Sequence, residues 1–576
     1  MRRRDFIKQV TISSAALASG CGQGQLNSGT PGAGQAFVDA HCHVFNASDL
    51  PTVRFLRQVV FKRYPKQALM RSGVRDPDAL DVMIEFMVEL LGAGAAPSAD
   101  QEIAVLEGRE SPKPSATTAQ AARASAIEDM AQFLRTVDAR RRARGPEIAS
   151  APTEQLERKQ VGDTAFLNFF LDGQSRERVL TNGEPLTLQE ARAASRRAFK
   201  RSGGIATYLN WFSLFRMYRH ALADELIADA ERQEFEMKVM TPLLVDFDEW
   251  LYQDVESSMA KQVRVMELVA QRAALASDKV PVVLNFVGYD PLREVAFRAG
   301  TKGSFSSLEI ARKALTESGF AGVKLYPPMG FRASGNRGPY PRRTLKKLGF
   351  EPSHRLDETL DDLYSLCAEL DAPIMAHGAA SNGAGEQYDI RADPAYWIPV
   401  FEKHPELRVC LAHFGGFDKK SYGQLGPLPD SSWEWVLGRY IKAHPQQPVF
   451  VDISYMSEAL GSEIERTNLA TNLKAWVQRY DPKIRHIIYG SDWIMVGKER
   501  GYENYLSAVA SFLKDECGFD EGARERVLYL NALRFLPFQR LSTGRQRLSS
   551  WYRANGLDPR KLPTVPPSLL QNFFGE

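Results

Sequence analysis

The stretch that decides the fold is residues 37–45, FVDAHCHVF, an apolar run that ends in two histidines separated by one residue. Side chains on a β-strand alternate between its two faces, so His41 and His43 are expected to point the same way, with Asp39 beside them. Two imidazoles on one face of a strand end are able to chelate a divalent metal ion. The alternative is two histidines that merely lie near a strand end, and the rest of the chain decides between the two.

Further apolar runs of strand length follow, and helix-like stretches alternate with them. The runs are residues 239–245, 280–287, 322–326, 373–377, 408–413, 449–454 and 486–492. Counted together with residues 37–45, they give eight strands that alternate with helices. This order predicts an α/β fold of the (β/α)8, TIM-type barrel class.

One connection in this pattern is unusually long, because residues 46–236 separate the first run from the second. Connections between a strand and the next helix usually have ~2–6 residues. Helical periodicity within the long connection, strongest at residues 205–230, predicts a helical cap inserted after the first strand. We therefore predict a barrel over residues 36–540 with this cap inside it, followed by a proline-containing, irregular C-terminal tail over residues 541–576.

The N-terminal residues are typical of an export signal. Arg3 and Arg4 begin a twin-arginine pattern, and the apolar run that follows is too short to span a bilayer. The run ends at Cys21 within ASGC, which resembles a bacterial lipobox. We interpret residues 1–21 as a twin-arginine, lipoprotein-type signal and residues 22–35 as a flexible tether. The prediction is an exported protein, periplasmic or lipid-anchored at the cell envelope; the alternative is an uncleaved basic tail.

Composition limits the kinds of partner that the chain is expected to have. With 44% hydrophobic and 25% charged residues, the 576-residue chain has the balance of a soluble globular protein. Its net charge of +3 favours neither nucleic acid nor an anionic membrane surface as a partner. We expect a small-molecule substrate, with membrane contact only through a lipid at Cys21. No closely spaced pair indicates a disulfide scaffold, so we expect buried thiols at Cys42, Cys367, Cys410 and Cys517.

The predicted strands carry residues that are able to do chemistry, most of them at the carboxyl end. They are His41 and His43 in the first strand, Lys324 in the fourth, His377 in the fifth, His413 in the sixth and Asp492 in the eighth. In a (β/α)8 barrel the carboxyl ends of the strands share one rim, where active sites form. Any one of these residues alone is explained as a hydrogen-bonded rim residue, but the whole set favours a common site.

Taken together, these motifs resemble the amidohydrolase superfamily, in particular the amidohydrolase-related branch that includes aminocarboxymuconate-semialdehyde decarboxylase. The resemblance is carried by DAHCH at 39–43, GVKLYPP at 322–328, MAHG at 375–378, LAHFGG at 411–416, GSDW at 490–493 and NALRFL at 531–536. It covers the chain from residue 37 to residue 536, apart from the long cap.

This resemblance implies one metal ion held by His41, His43, His377 and Asp492, with a water molecule in an open position. Three imidazoles and a carboxylate suit Zn²⁺, although manganese and iron accept the same ligand types. Asp492 would bind the ion through one oxygen and take the proton of the water with the other. His413 would then polarise a carbonyl or protonate a leaving group.

Lys324 leaves the number of metal ions open. In binuclear relatives a lysine on the fourth strand is carboxylated and bridges two ions, and His377 and His413 would then hold the second ion. In mononuclear relatives that position carries no ligand, and a free ammonium group there would attract a substrate carboxylate. We favour one ion, with the binuclear form as the alternative.

Three hypotheses for the function follow. The leading one is a metal-dependent hydrolase that uses a metal-bound water to cleave an amide, ester or lactone of a small organic substrate. The second is a metal-dependent decarboxylase on the same barrel, which would need the same ligands. The third, from a different class, is an exported non-catalytic binding lipoprotein; a lost ligand would be its signature, and the sequence retains all four residues of the implied metal site.

Overall fold

Parallel strands form the centre of the protein, as described by a computed structural model. The described residues are 35–61, 77–92, 94–143, 154–200, 204–277, 279–381, 383–385, 387–416 and 428–565. The predicted signal, the tether up to residue 34 and Cys21 lie outside this part of the chain. Within the described ranges, no helix is both long and apolar enough to cross a membrane.

The strands form two parallel sheets, with three strands in the order β1–β2–β3 and six in the order β4–β5–β6–β7–β8–β9. Their bounds are β1 Gln35–Cys42, β2 Phe235–Pro242, β3 Val282–Val283, β4 Phe286–Gly288, β5 Gly322–Leu325, β6 Ile374–Ala379, β7 Val409–Gly415, β8 Val449–Asp452 and β9 Ile487–Ile488. Neighbours in each sheet are also neighbours in sequence, and parallel pairs need crossover connections, which helices supply along most of the chain. The predicted mixed α/β class with parallel strands is therefore confirmed.

Two isolated backbone bridges join segments that belong to or follow strands of the two sheets. Leu243 bridges to Phe286, and Cys42 bridges to Trp493. The Asp492 amide also donates to the His41 carbonyl oxygen at 2.8 Å. The carboxyl end of β1 and the loop that follows β9 are therefore held side by side.

Two predicted strands differ from the observed ones. The run at residues 280–287 forms two short strands, β3 and β4. The side-chain amide of Asn285, between them, donates to the Met266 carbonyl oxygen at 2.9 Å. The run at residues 486–492 keeps only two residues in β9. Its end leaves the extended conformation, since Asp492 has a φ of 54°.

Helices occupy the connections between the strands. Those of eight or more residues are α1 Pro77–Leu90, α2 Ala99–Leu106, α3 Ala119–Ala143, α4 Glu154–Phe170, α5 Leu188–Lys200, α6 Ile205–Leu214, α7 Arg219–Arg232, α8 Met259–Leu275, α9 Pro291–Arg298, α10 Ser307–Glu317, α11 Ser353–Glu369, α12 Trp433–Ala443, α13 Glu463–Tyr480 and α14 Thr543–Ala554. The first seven lie between β1 and β2. The single helix predicted at residues 205–230 is in fact two, because the chain turns between α6 and α7.

The C-terminal tail is more regular than its sequence predicts, because α14 occupies residues 543–554. Arg547 on α14 donates to the Ala321 carbonyl oxygen at 2.9 Å, just before β5. The Gly544 amide donates to the Asp371 carboxylate at 3.1 Å, just before β6. This helix therefore covers the amino-terminal ends of the strands, opposite the histidines. All four cysteines predicted as buried thiols are buried and free.

Candidate metal centre

His41 and His43 lie at the carboxyl end of β1, with their ring centroids 5.3 Å apart. The backbone of this strand end is held by the loop after β9 through the bond from the Asp492 amide to His41. Gly490 permits this close approach, because a Cβ atom there would lie only 2.5 Å from the Cβ atom of His41. The pair of histidines predicted from the sequence is therefore held in place by β1 and by the loop that follows β9.

Asp39 does not join this pair, and the prediction that it lies beside them is wrong. Its carboxylate accepts from the Ser491 amide at 3.0 Å and lines a small cavity together with Asp229 on α7. The reason is a register irregularity between Asp39 and Cys42 in the pairing of β1 with β2, which breaks the regular alternation of side chains.

Asp492 brings a carboxylate to both imidazoles. Its Oδ1 lies 3.3 Å from His43 Nε2 and 3.5 Å from His41 Nε2. Burial favours the neutral acid, but the neighbouring imidazoles of His43, His41 and His413 outweigh it and lower the pKa of Asp492 to about 2. The carboxylate is therefore ionised at neutral pH.

The other ring nitrogen of each histidine is already engaged. His43 Nδ1 donates to the Leu243 carbonyl oxygen at 2.8 Å, and His41 Nδ1 donates to the Asp452 carboxylate at the same distance. Burial, followed by the charge of Lys324, lowers the pKa of His41 to about 3. A neutral imidazole with a proton on Nδ1 keeps a lone pair on Nε2, which is the form that ligates metals.

His377 and His413 lie next to this group. The ring centroid of His413 is 4.5 Å from that of His377 and 4.9 Å from that of His41. The Nε2 atom of His377 is buried without a hydrogen-bond partner in the part of the chain that the structure describes. Burial and the neighbouring His413 hold the pKa of His377 well below its usual value. A buried imidazole nitrogen without a partner lowers the stability of the folded protein, and a metal ion bound to that nitrogen would remove the cost.

Lys324 is buried in β5, and its Nζ lies 3.3 Å from His41 Nε2. Burial lowers the pKa of its ammonium group to about 8, although Asp492 and Asp452 act in the opposite direction. The predicted lysine is thus in the cluster itself, in contact with a proposed metal ligand.

The donor set fits a divalent ion. The ligand atoms of His41, His43 and Asp492 all lie within 4.8 Å of one another. His41, His413 and Asp452 form a second group by the same measure. His377, the fourth ligand implied by the sequence, belongs to neither group, although its unpartnered Nε2 is consistent with that role. The four-ligand set stays a prediction, with three members brought together.

Two residues at and just after the end of β8 contact the cluster but were not predicted from the sequence. Asp452 and Ser454 contact both His41 and His413. A signal was present, because the run VFVDIS also ends in a carboxylate at a strand end, the rule that identified Asp492. Backbone conformation marks the same region, since His413 and Tyr455 have φ values of 63° and 52°. Such left-handed residues cost about 1–3 kcal/mol each and cluster at functional sites.

Aromatic side chains contact the cluster and the loops next to it. The Tyr326 ring, just after β5, lies 4.6 Å from the His377 ring. From the helices between β1 and β2, Trp211 on α6 donates through its indole nitrogen to the Ile494 carbonyl oxygen at 2.7 Å. On the same side the Phe215 ring lies 5.6 Å from that of Phe45. The helical segment therefore contacts the loops that follow His43 and Asp492.

The Gly490 contact gives a testable prediction. Gly490→Ala is expected to destabilise the protein by about 1–3 kcal/mol, because the added methyl group would overlap His41. Chemical denaturation with and without Zn²⁺ measures both the stability and the response to the ion. The matched control is Gly173→Ala, where no atom lies within 4 Å of the added Cβ. A Gly490→Ala protein as stable as the Gly173→Ala protein would contradict the argument.

Comparison with known proteins identifies the family of this chain. A family model described as Amidohydrolase matches residues 220–538. The match covers more than half of the chain, which therefore belongs to the amidohydrolase family, as the sequence motifs predict. The matched region includes β2 to β9 and begins after β1, which carries His41 and His43. No curated protein matches the chain.

Several solved structures are similar to this chain, and three of them illustrate the range of their names. One is a probable 2-pyrone-4,6-dicarboxylic acid hydrolase from Acinetobacter baumannii with citric acid bound, at 12% identity and TM-score 0.32, covering 55% of this chain and 88% of that chain. Another is a 2,6-dihydroxybenzoate decarboxylase from Rhizobium, at 14% identity and TM-score 0.32, covering 54% and 87%. The third is an amidohydrolase from Burkholderia multivorans with bound zinc, at 12% identity and TM-score 0.32, covering 57% and 92%.

Proposed function

We propose that the protein is a metal-dependent hydrolase that cleaves an amide, ester or lactone of a small organic substrate. The observation that supports this proposal best is the convergence of His41 Nε2, His43 Nε2 and the Asp492 carboxylate beside the unpartnered His377 Nε2. A buried imidazole whose one ring nitrogen is hydrogen-bonded presents the other ring nitrogen in a fixed direction, which favours metal binding.

Each residue of the cluster has a role in this proposal. His41, His43 and Asp492 hold one ion, most simply Zn²⁺, with His377 as the fourth ligand. The ion would supply Lewis acidity towards a carbonyl group or a water molecule. Ionised Asp492 is the acceptor for a proton released near the cluster, and His413 exchanges a proton with the reacting group.

The position of Lys324 favours a second candidate reaction, decarboxylation. Its amine is buried beside His41, where a positive charge would orient a substrate carboxylate. The same position would suit a carboxylated lysine that bridges two ions, so a count of zinc per chain is part of the test.

Product analysis separates the two reactions. The zinc-loaded protein would be incubated with a panel of esters, lactones and amides, and separately with aromatic and unsaturated carboxylic acids. We expect new carboxylate from the first panel and no released carbon dioxide from the second. Release of carbon dioxide alone would replace hydrolysis with decarboxylation, and the absence of both products from a zinc-loaded protein would favour a binding role.

The proposal extends to the architecture around the site. The bridges from Cys42 to Trp493 and from Leu243 to Phe286 support closure of the two sheets into one (β/α)8 barrel. The contact from Trp211 to Ile494 supports residues 46–236 as a cap over its rim. In this arrangement the cap limits the size of the substrate that reaches His41 and His43.

The role of His413 can be tested separately from that of the ligands. His413→Asn is expected to keep one ion per chain and to lower the rate by roughly 10²–10⁴-fold, because a proton-exchanging group is lost. Steady-state rates and metal analysis on the same preparation measure both. Loss of an ion in parallel with activity would instead support the binuclear form with Lys324 as the bridge.

We also propose that the protein is exported in its folded state through the twin-arginine route. The proposed ligands lie far apart in the sequence, so their site forms only after folding, and metal binding would contribute to folding free energy. Replacing Arg3 and Arg4 with lysine is expected to leave a folded, zinc-loaded protein in the cytoplasm. Cell fractionation measures how much of the protein is exported. Export of the double variant at the wild-type level would refute the interpretation of Arg3 and Arg4 as part of a twin-arginine signal.

A further inference from the structure

Asp452 and Ser454 form a hydrogen-bonded unit that contacts His41 and His413 at the same time. Asp452 is fully buried at the end of β8. Its Oδ2 accepts from His41 Nδ1 at 2.8 Å, and its Oδ1 accepts from the backbone amide of His413 at 2.8 Å. The Ser454 amide donates to the same Oδ1 at 3.0 Å. The carboxylate therefore ties a proposed metal ligand to the strained backbone of His413.

The proton positions follow from which atoms are able to donate. A carboxylate only accepts, so the proton of His41 must lie on Nδ1. The opposite nitrogen confirms this, because Lys324 Nζ, which only donates, lies 3.3 Å from His41 Nε2. His41 therefore presents a lone pair on Nε2, towards Asp492.

Ser454 transmits the same constraint to His413. Its hydroxyl has one proton, and Asp452 Oδ1, at 2.5 Å, is able only to accept it. The hydroxyl oxygen lies 2.9 Å from His413 Nδ1 and is left as an acceptor. The Ser454 carbonyl oxygen, also only an acceptor, lies 3.3 Å from the same nitrogen. Both contacts require the proton of neutral His413 to be on Nδ1.

We propose that Asp452 and Ser454 are positioning residues that fix His41 and His413 in the same tautomer, with both Nε2 lone pairs available. This inference rests on the proposed function and refines it. Neutral His413 then enters the reaction as a proton acceptor or as a ligand, and it donates a proton only after receiving one at Nε2. Replacing Ser454 would affect His413 more than His41, because His41 Nδ1 loses only its 3.1 Å contact with the hydroxyl and keeps its 2.8 Å bond to Asp452. Replacing Asp452 would affect both histidines.

The test observes the tautomers directly. In the full-length protein labelled with ¹⁵N-histidine, long-range nitrogen–proton spectra distinguish a proton on Nδ1 from one on Nε2 in each neutral ring. Spectra of His41→Asn and His413→Asn proteins assign the two rings among the nine histidines. We expect Nδ1–H for both rings in zinc-free protein at neutral pH. An Nε2–H form of His413 in the wild-type protein would overturn the proposal.

Variants extend the test beyond the resting protein. Ser454→Ala is expected to populate the Nε2–H form of His413, since only the longer carbonyl contact remains, and Ser454→Thr should restore Nδ1–H. Asp452→Asn is expected to lower zinc affinity by roughly 10–100-fold in competition with a chelating dye. An unchanged His413 tautomer in Ser454→Ala, or unchanged zinc affinity in Asp452→Asn, would refute the proposed positioning role of that residue.

These readouts do not depend on turnover. If the tautomers and zinc affinities follow the expectation but no substrate is hydrolysed, the proposed function fails while the positioning unit stands. If hydrolysis is found but His413 carries its proton on Nε2, the function stands and the positioning unit fails.

Discussion

Replacing His41 and His43 together with alanine is expected to abolish metal binding while the protein stays folded. The two rings supply two of the three ligand atoms that the structure brings within 4.8 Å of one another. Asp492 and the proposed fourth ligand His377 would remain, and two ligands are too few to retain zinc against a chelator. The wild-type protein is expected to contain about one zinc ion per chain, and the double variant close to none.

The measurement combines metal analysis with thermal unfolding. A ligand that binds only the folded state raises its stability, so zinc should raise the melting temperature of the wild-type protein and leave that of the double variant unchanged. His354→Ala is the matched control, because the side chain of His354 is 87% exposed and forms a surface pair with Glu358 at 3.1 Å. This variant should retain zinc and the thermal response.

The outcome that contradicts the assignment is also clear. A double variant that keeps full zinc and folds normally would place the ion outside both groups, because each of them contains His41. The proposed roles of His41, His43 and Asp492 as ligands would then have to be abandoned.

The sequence could predict the strands and the rim residues because each depends on local patterns. An apolar run that ends in a polar residue is visible in a few letters, and the runs before His377 and His413 form β6 and β7 with nearly the predicted bounds. Helices were equally accessible, because helix-like stretches are predicted between the apolar runs and α12 lies between the runs at residues 408–413 and 449–454. The parallel α/β class followed from the alternation of the two.

What the sequence could not predict depends on contacts between distant segments. Asp452 is 411 residues from His41 in the chain, and only the folded arrangement shows that the two are hydrogen-bonded. The misplacement of Asp39 has a different cause, because a one-residue irregularity in strand pairing is not marked by any residue type that a pattern would detect. Hydrophobic alternation predicts a face only where the strand remains regular.

The second large effect is expected at Arg219, the first residue of α7, which is completely buried. Its guanidinium donates to Asp49 Oδ2 and to Glu102 Oε2, both at 2.8 Å, and to the Ser48 hydroxyl at 3.0 Å. Asp49 and Ser48 lie in the turn that follows His43, whereas Glu102 lies on α2. This cluster of charges therefore joins the helical segment to the proposed metal-binding strand.

Arg219→Met is expected to lower the free energy of unfolding by about 3–5 kcal/mol, because it removes the positive charge that two buried carboxylates share. Methionine retains much of the apolar stem, so the change tests the charge more than the packing. Chemical denaturation followed by circular dichroism measures the effect. Arg192→Met is the control in the same helical segment. Its partner Glu128 and Arg192 itself are 50% and 44% exposed, so a loss of about 1 kcal/mol or less is expected.

A triple variant distinguishes uncompensated charge from lost packing. Asp49→Asn and Glu102→Gln, added to Arg219→Met, remove the two carboxylate charges that the single change leaves buried. Because breaking one member of a buried charge network costs more than removing the whole network, the triple variant should be more stable than Arg219→Met alone. A triple variant as unstable as the single one would show that Arg219 acts through packing or through its bond to Ser48. Zinc affinity measured on the same proteins then reports whether the turn after His43 has moved, because displacement of that turn weakens the site even where the fold survives.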